Sequence, residues 1–579
     1  TITGQITPHV SAYFNKGIIA AQWVSRALSQ VGKNAKLPDL IKTPDNPLRN
    51  ALSGLLRPQL LALLDEVRTS NGEVYAALYE LNDPELIAAL SALGERCHLL
   101  LANGAFRPPA NDENKAVRAS LHDKVDLHNR LVASGHFAHN KFVVFCDAGG
   151  TPQRVLSGST NWTVTGLCTQ ANNAIIIDDP NVAADFRNEW NLLKDAGNGY
   201  PPSLATANSQ AKTFEVDGGR ITQWFAPTSA AQDLDYARRL ISAAKDGILF
   251  LFFNPGAFEP DDQPQKWTLL QNILVRHHED SPDYDPALYM RGVVNQEIAN
   301  LTTESTNGAK RRPILDPSEP ANPVTLFSGG NKPPQRLNYE SMVPKNIKAQ
   351  FHNWMTEVLG TGVHIHSKVI VLDPFGANPV VMTGSHNLGY KASSKNDDNL
   401  VIVEGNAPLA AAFAANIIAI YQTYRWNAYV EAHRQDPQVW SGLVDSDAWQ
   451  TGYLSGDDLA EIQFWLGQPA AAGAPSAARP PGVAAHTASA TGPSPDQASA
   501  RRPKGSGRKR TAPSKKTPAK SKRSAKSKAP AKKKPAARTK APPRKKAAAR
   551  AKTPVRRKAM ATRSRRVARP PGTGRTKKR

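Results

Sequence analysis

Two short clusters of polar residues, far apart in the chain, have side chains and spacings suited to chemistry. The first contains His139 and Lys141, and the second contains His366 and Lys368. A histidine and a lysine two residues apart on a β-strand point to the same face of the sheet. Each pair is therefore predicted to present an imidazole and an ammonium group side by side.

Each pair is followed, after a predicted hairpin, by the sequence Gly-Ser-x-Asn. The first copy supplies Ser159 and Asn161, and the second supplies Ser385 and Asn387, all four as candidate catalytic residues. The spacing from the histidine to the serine is 20 residues in the first copy and 19 in the second. Two clusters with nearly the same spacing predict two halves of one site, built by internal duplication.

Convergence of these residues would form a cationic pocket, rich in hydrogen-bond donors, that suits a phosphodiester. The ammonium groups of Lys141 and Lys368 and the amides of Asn161 and Asn387 would hold its non-bridging oxygens as charge develops. One neutral imidazole can attack phosphorus and form a phosphohistidine, while the other protonates the leaving oxygen and later deprotonates water. This chemistry requires no metal, and we predict no metal and no other cofactor.

The pattern His-x-Lys-(x)4-Asp followed by Gly-Ser-x-Asn, present twice, resembles the phospholipase D superfamily. The second copy matches in full, with Asp373 as the motif aspartate, whereas Asp147 of the first copy is displaced by one residue. The resemblance implies structural roles for these aspartates and for the strand residues Asn173 and Asn399. A β-bulge near Cys146 would absorb the extra residue of the first copy.

The same resemblance implies an α/β fold of two pseudo-twofold related halves with mixed sheets, and a site at their seam that one monomer completes. It also implies an acidic residue that contacts a catalytic histidine across the seam. In this sequence that arrangement pairs Asp398 with His139 and Asn172 with His366. It favours His139 as the nucleophile and His366 as the general acid, and the reverse assignment stays open.

Predicted strands and helices alternate along both halves, which indicates an α/β fold with largely buried sheets. We expect an N-terminal helical segment over 1–70, a first half over 71–215 and a second half over 216–468. A linker rich in Ala, Pro, Gly and Ser follows over 469–500. Residues 501–579 are rich in Lys, Arg, Ala and Pro, and we predict that they are disordered because they can bury too little apolar surface.

The net charge of +24 belongs to this tail. Residues 501–579 contain 34 Lys and Arg and no acidic residue, which leaves 39 basic and 49 acidic side chains, a net charge of −10, in residues 1–500. The tail resembles those of linker histones and bacterial histone-like proteins, which neutralise nucleic-acid phosphates without reading sequence. An anionic membrane surface is the other expected partner, and the absence of hydrophobic anchors slightly favours nucleic acid.

Other features of the sequence bear on the compartment. No signal peptide is seen, and no apolar run approaches the ~20 residues that span a bilayer. The three cysteines form no disulfide framework. We therefore expect a protein without a transmembrane segment, in the cytoplasm or associated with the nucleoid.

Three functions remain open. The first is hydrolysis or transfer of a phosphodiester through a phosphohistidine, with phospholipid head-group hydrolysis favoured, since the two-motif architecture resembles phospholipase D and cardiolipin-synthase-like enzymes. The second is a metal-independent nuclease of the same superfamily, tethered to nucleic acid by the basic tail. The third is a nucleic-acid-binding protein without enzymatic activity.

Overall fold

A computed structural model describes residues 4–17, 24–32, 35–105, 111–259, 263–277, 281–295, 324–326, 365–432, 447–454 and 456–468. Within these ranges the chain forms two mixed sheets with helices packed against them. No helix in them is both long enough and apolar enough to cross a bilayer. The linker over 469–500 and the basic tail over 501–579 lie outside the described residues.

The first sheet contains eight strands, which in chain order are β1 (Gln5–Thr7), β2 (Val10–Phe14), β3 (Glu73–Leu78), β4 (Cys97–Ala102), β5 (Asp126–Arg130), β7 (Lys141–Cys146), β8 (Pro152–Gly158) and β9 (Asn173–Ile177). Their order in the sheet is β1-β2-β9-β8-β7-β3-β4-β5. Strands β3, β4 and β5 run parallel, and the other neighbours run antiparallel. The central strands β3 and β7 are buried along nearly their whole length, which explains their continuous apolar sequences.

The second sheet repeats this arrangement. Its strands are β10 (Lys212–Val216), β11 (Gly219–Ala226), β12 (Gly247–Phe252), β13 (Tyr289–Val294), β14 (Val324–Leu326), β15 (Val369–Leu372), β16 (Val380–Gly384) and β17 (Asn396–Glu404). Their order, β10-β11-β17-β16-β15-β12-β13-β14, matches the first sheet strand for strand. A short strand of the first half, β6 (Phe137–Ala138), also pairs with β17, so the two halves are joined through their backbones.

The helices occupy the connections between strands and the two ends of the described chain. They are α1 (Val24–Val31), α2 (Leu37–Leu40), α3 (Pro47–Ser53), α4 (Leu56–Thr69), α5 (Pro84–Ser91), α6 (Lys115–Leu121), α7 (Val164–Cys168), α8 (Pro180–Ala196), α9 (Pro202–Ala207), α10 (Gln232–Ala243), α11 (Leu269–Leu274), α12 (Tyr390–Lys395), α13 (Ala407–Ala432) and α14 (Gly456–Trp465). Both α5 and α8 begin with a proline directly after an aspartate whose carboxylate accepts two backbone N–H groups. The sequence Asp-Pro thus defines these two helix starts.

One hydrophobic core runs between the halves. The ring of Phe186 on α8 lies 5.0 Å from that of Phe225 on β11, in the other half. In the matching position, Phe413 on α13 lies 4.9 Å from Phe14 on β2. In each half, the helix that follows the last long strand therefore packs against the N-terminal hairpin of the other half. These two contacts stabilise the seam.

The predicted duplication and mixed sheets are confirmed, whereas the prediction of a helical segment over 1–70 is wrong for its first part. Strands β1 and β2 belong to the first sheet, and β2 pairs with β9. The first half thus begins near Gln5, and β10 extends across the predicted boundary at 215/216. All five residues of β2 are buried, so the sequence lacks the alternation that identifies a half-exposed strand.

A β-bulge lies near Cys146 as predicted, but the residue that it leaves unpaired is Gln153 on β8 and not a residue of β7. The pairing of β7 with β8 shifts register between Phe145 and Cys146. The pairing of β15 with β16 is regular across Ile370–Met382, Val371–Val381 and Leu372–Val380. The bulge accommodates the one residue by which the first copy exceeds the second, so both copies present the same residues to the seam.

Candidate active site

The two motif copies meet at the seam between the sheets. The backbone N–H of His139 donates to the carbonyl of Asp397 at 2.8 Å, and that of His366 donates to the carbonyl of Ala171 at 2.9 Å. Each histidine is therefore anchored to the strand, or to its extension, that ends the motif of the other half. His139, His366, Lys141 and Lys368 are all at most 4 % exposed.

The glycine of each Gly-Ser-x-Asn sequence permits a close approach of two strands. Gly158 and Gly384 have φ values of 154° and 146°. A Cβ atom on Gly158 would lie 2.4 Å from the carbonyl oxygen of Asn173, and one on Gly384 would lie 2.3 Å from that of Asn399. A side chain at either position would displace the following serine from the seam.

The two candidate histidines are oriented across the seam, in the arrangement that the resemblance implied. The Nδ1 atom of His139 lies 2.8 Å from Oδ1 of Asp398. The Nδ1 atom of His366 lies 2.9 Å from Oδ1 of Asn172 and 2.8 Å from the carbonyl oxygen of Ser159. All three partners accept hydrogen bonds, so Nδ1 carries the hydrogen in both neutral rings and Nε2 presents a lone pair.

The predicted serines hold the partners of the histidines. Ser385 Oγ donates to Oδ1 of Asp398 at 2.8 Å, and Ser159 Oγ donates to Oδ1 of Asn172 at the same distance. Each serine also accepts the backbone N–H of the following strand asparagine at 3.0 Å. The geometry thus gives these serines a positioning task, and neither approaches the reacting side of an imidazole through these bonds.

The lysines lie against their own histidines and against two aromatic rings that the sequence reading missed. Lys141 Nζ donates to the carbonyl of His139, and Lys368 Nζ to that of His366, both at 2.6 Å. Tyr79 and Phe253, each directly after its central strand, complete the walls. Tyr79 lies 4.7 Å from the ring of His139 and 4.8 Å below the Lys141 ammonium, and Phe253 lies 4.7 Å from His366 and 4.6 Å from Lys368 Nζ.

Asn161 and Asn387 also lie at the seam but in different surroundings. Asn161 is buried, and its Nδ2 donates to the Glu80 carboxylate at 2.6 Å. Asn387 is partly exposed, and its Oδ1 has no hydrogen-bond partner among the described residues. Glu80 was not singled out from the sequence, since a single glutamate after an apolar strand carries no motif.

Four residues were predicted to be structural, and their hydrogen bonds are to groups other than the two imidazole rings: Asp147, Asp373, Asn173 and Asn399. Asp373 accepts backbone N–H groups of residues 245–247 at the start of β12. Asp147 instead accepts from its own turn, through the N–H groups of Gly149 and Thr151. The strand asparagines cross the seam: Asn173 donates to Thr383 Oγ1 at 2.7 Å, while Asn399 accepts from Ser157 Oγ at 2.6 Å and donates to Asn140 Oδ1 at 2.8 Å.

Burial and crowding of charge shift the ionisation of the pocket. Burial, followed by the nearby Lys141 ammonium, lowers the pKa of His139 to about 4 despite the opposing effect of Asp398. Burial and the charge of Lys368 lower the pKa of His366 well below its ordinary value. Burial also lowers the pKa of Lys141 to about 7 and that of Lys368 well below its usual range. Burial alone would raise the pKa of Asp398, but the adjacent His139 holds it below the usual value.

Two buried ion pairs, also missed from the sequence, flank Asp398. Arg130 binds Asp397 through two hydrogen bonds of 2.8 and 2.9 Å, and both side chains are at most 2 % exposed. His386 Nε2 lies 3.0 Å from Asp233 Oδ2, and this contact raises the pKa of His386 against the effect of burial. Arg130 and Asp397 are 267 residues apart, so nothing local in the sequence indicates their pairing.

The part of the chain that the structure describes contains no candidate metal site. None of its groups of three or more histidine, cysteine, aspartate or glutamate side chains is placed to hold a metal ion.

Comparison with known proteins gives two matches along the sequence. The family model described as "Cardiolipin synthase, PLD-like domain" matches residues 63–193 and again 287–421. A phospholipase D of Rickettsia bellii (strain RML369-C) is 25 % identical over 140 residues, which are 24 % of this chain. The chain spans 64 % of the length of that relative.

Solved structures resemble the chain at lower identity. Phosphatidylserine synthase of Haemophilus influenzae Rd KW20 has 12 % identity and a TM-score of 0.40, over 64 % of this chain and 85 % of that one. The phospholipase D family member Nuc of Salmonella typhimurium has 20 % identity and a TM-score of 0.21, over 25 % of this chain and 90 % of that one. The repeated family match and the repeated motif agree: residues 63–193 and 287–421 are each similar to a phospholipase D-like domain.

Proposed function

We propose that the protein hydrolyses a phosphodiester, or transfers it to another alcohol, through a covalent phosphohistidine, and that its substrate is a phospholipid cleaved at the head group. The observation that carries this proposal is the pair of buried histidines that are oriented across the seam by Asp398 and Asn172. With both Nδ1 atoms engaged, the two Nε2 atoms are left for the reaction.

In the first step, His139 Nε2 attacks phosphorus, and the bond from phosphorus to the leaving oxygen breaks. The phosphorylated ring of His139, still protonated at Nδ1, carries a positive charge. The Asp398 carboxylate accepts that Nδ1–H at 2.8 Å and stabilises the charge. The neutral Asn172 amide at His366 offers no such stabilisation, which favours His139 as the nucleophile.

His366 supplies the proton for the leaving oxygen. Burial, followed by the charges of Lys368 and Lys141, holds the pKa of His366 low. A phosphodiester anion bound between the two ammonium groups offsets their charge, so His366 takes up a proton at Nε2 when the substrate binds. His366 is thereby protonated only when a leaving group is present to receive the proton.

In the second step, a water or an alcohol attacks the phosphohistidine. His366, neutral after the first step, accepts the proton of the incoming hydroxyl at Nε2. The bond from phosphorus to His139 breaks, and the ring is released in its starting form. Hydrolysis and transfer differ only in the acceptor that enters at this point.

A phospholipid is favoured by the family description and by the name of the phospholipase D relative. A second candidate, nucleic acid, rests on the tail, whose 34 basic residues are suited to phosphate backbones. The same tail can bind an anionic membrane. If the substrate is a phospholipid, the tail would hold the enzyme at the surface that contains it.

One experiment separates the substrates. The full chain is incubated, with EDTA present, with phosphatidylcholine vesicles and with supercoiled plasmid, beside a His139→Ala control. Release of choline by the wild type but not by the control, with the plasmid intact, is the expected result. Nicked plasmid without choline release would contradict phospholipid hydrolysis and indicate a nuclease. No turnover of either, with salt-sensitive plasmid binding, would indicate a binding protein.

A further inference from the structure

Glu80 is held rigidly at the edge of the pocket, two residues beyond the end of β3. Its carbonyl accepts the backbone N–H of Trp162 at 3.1 Å. On either side, Asn114 binds the backbone: Nδ2 donates to the Tyr79 carbonyl at 2.8 Å, and Oδ1 accepts from Leu81 at 3.1 Å. The chain around Glu80 is therefore fixed by residues of two other segments, and its side chain has a defined place.

The carboxylate of Glu80 sets the orientation of a motif amide. Asn161 donates Nδ2 to Glu80 Oε2 at 2.6 Å, which places the amide nitrogen, and not its oxygen, on the side of the acid. The Asn161 Oδ1 is buried and has no partner among the described residues. The amide thus keeps one N–H and an open acceptor for whatever enters the pocket.

Glu80 also matters to the charge of the pocket. Lys141 and Lys368 are buried, and each ammonium group disfavours the other. Two acidic groups favour both ammonium forms, Asp398 and Glu80. When both lysines are protonated and both histidines are neutral, the charges of Asp398 and Glu80 balance those of the two ammonium groups. Glu113, which accepts the N–H of Ala105 at 3.2 Å, is the acid on the neighbouring loop and faces that backbone.

We infer that Glu80 is a positioning residue of the phosphate pocket, which fixes the Asn161 amide and supplies half of the negative charge that holds the two buried lysines as ammonium ions. The inference rests on the proposed function, since it assigns Glu80 to the site that would bind the phosphodiester. It extends that function by naming a residue outside both motif copies.

The second half does not repeat this arrangement. The position matching Glu80, two residues beyond the end of β12, is Asn254, which carries no charge. The charge contributed by Glu80 therefore comes from one side of the pocket only. Asp398, the other acid, comes from the second half, so each half contributes one carboxylate to the pair of lysines.

The expected consequence is visible in pH dependence. Glu80 opposes the burial that lowers the pKa of Lys141 and Lys368, and the other charged or titratable groups facing them are Asp398, His139 and His366. Activity of the wild type should fall as pH rises through the pKa of Lys141, about 7. Loss of the Glu80 charge lowers both lysine pKa values and moves this fall to lower pH, by about one unit.

The test compares Glu80→Gln with wild type and with Glu95→Gln, a control at an exposed glutamate. The first readout is kcat/KM against pH for bis(p-nitrophenyl) phosphate. The second is calorimetric binding of dimethyl phosphate, which stays a monoanion throughout. Circular dichroism and thermal melting establish that each variant is folded.

For Glu80→Gln we expect the alkaline fall in kcat/KM about one unit lower, and dimethyl phosphate bound more tightly than by wild type at pH 5.5 but more weakly at pH 8. Glu95→Gln should match wild type. A Glu80→Gln profile that overlays wild type, or is lowered equally at every pH, overturns the inference. If wild type binds dimethyl phosphate with the expected pH dependence but cleaves no diester, the role of Glu80 stands and the proposed function fails.

Discussion

The two halves of the site share one skeleton and differ in charge. Each places a histidine, a lysine and an aromatic ring on its own side, and each orients the histidine of the other half through a serine-supported side chain. That side chain is Asp398 for His139 but Asn172 for His366. The two halves thus have the same backbone arrangement but place different charges beside their histidines.

The difference extends behind the contacting side chains. Around Asp398 stand two buried ion pairs, Arg130 with Asp397 and His386 with Asp233. The position of Asn172 is supported by neutral groups, among them Asn15, whose Oδ1 accepts the N–H of Asn172 at 2.7 Å. A buried carboxylate requires compensation that a buried amide does not. The charged groups around Asp398, which come from both halves, therefore accompany its ionised state.

The largest test of this comparison removes the histidines. His139→Ala and His366→Ala should each lower kcat for a phospholipid by about 10⁴-fold or more, since both act in every step. With an activated p-nitrophenyl diester the two variants should differ. Departure of that leaving group needs little acid, so His366→Ala should accumulate a phosphohistidine at residue 139, detectable by mass spectrometry.

If the trapped phosphate is found on His366 in the His139→Ala variant instead, the roles of the two halves are reversed. Equal trapping in both variants would show that the carboxylate and amide partners do not distinguish the rings.

Breaking the ion pair behind Asp398 should act mainly on stability. Arg130→Met leaves the Asp397 carboxylate buried and unpaired, which costs about 3–5 kcal/mol. Removing both charges, in Arg130→Met with Asp397→Ala, should recover much of this loss, because Ala171 already occupies the matching position of the first half. Urea denaturation measures both.

The control for that measurement is Arg154→Met. Arg154 pairs with Glu66 and Asp178 at a partly exposed site, so about 1 kcal/mol or less is expected. A cost for Arg130→Met no greater than for Arg154→Met would remove the stabilising role of the buried pair.

Exchanging the partners of the histidines tests the comparison directly. Asp398→Asn should lower kcat/KM by about 10²-fold, the value of one hydrogen bond to a charged group. The site can accommodate the amide nitrogen that this substitution introduces. Asn396 Nδ2 lies 3.2 Å from Asp398 Oδ2, and the Oδ1 of Asn396, which has no partner among the described residues, is a potential acceptor for the new N–H groups. Asn172→Asp should have the smaller effect, because the Ser159 carbonyl already binds His366. The reverse ranking in steady-state kinetics would contradict the proposed roles.

The smallest effect is expected where the halves differ only by a hydroxyl. Tyr79→Phe gives the first half the same ring that Phe253 gives the second. It should keep the contacts with His139 and Lys141 and leave kcat/KM within about fivefold, the value of a neutral hydrogen bond. A much larger loss would assign the Tyr79 hydroxyl a part in the reaction.

The sequence was most informative where spacing repeats. Matching distances within the two motif copies located the seam residues and even the presence of a bulge near Cys146. The cross-seam pairing of Asp398 came from the superfamily resemblance, because no spacing reveals that residue 398 lies beside residue 139.

What the sequence could not supply follows from burial and distance. Strand β2 has no alternating pattern because both of its faces are covered. Partners such as Arg130 and Asp397 belong to different halves, and their types alone are those of ordinary surface charges. Tyr79 and Phe253 could have been found by aligning the central strands of the repeats, since each follows its strand directly.

The seam hydrogen bonds also bear on how such a site can change over time. Asn399 binds Ser157, and Asn173 binds Thr383, so each half completes the other. Two identical copies of the first half would give two amide partners, and two copies of the second would give two carboxylates. Because both copies are encoded separately within one chain, a substitution can change the partner of one histidine and leave the partner of the other unchanged. Duplication within the chain thus permits one imidazole to have a charged neighbour and the other a neutral one.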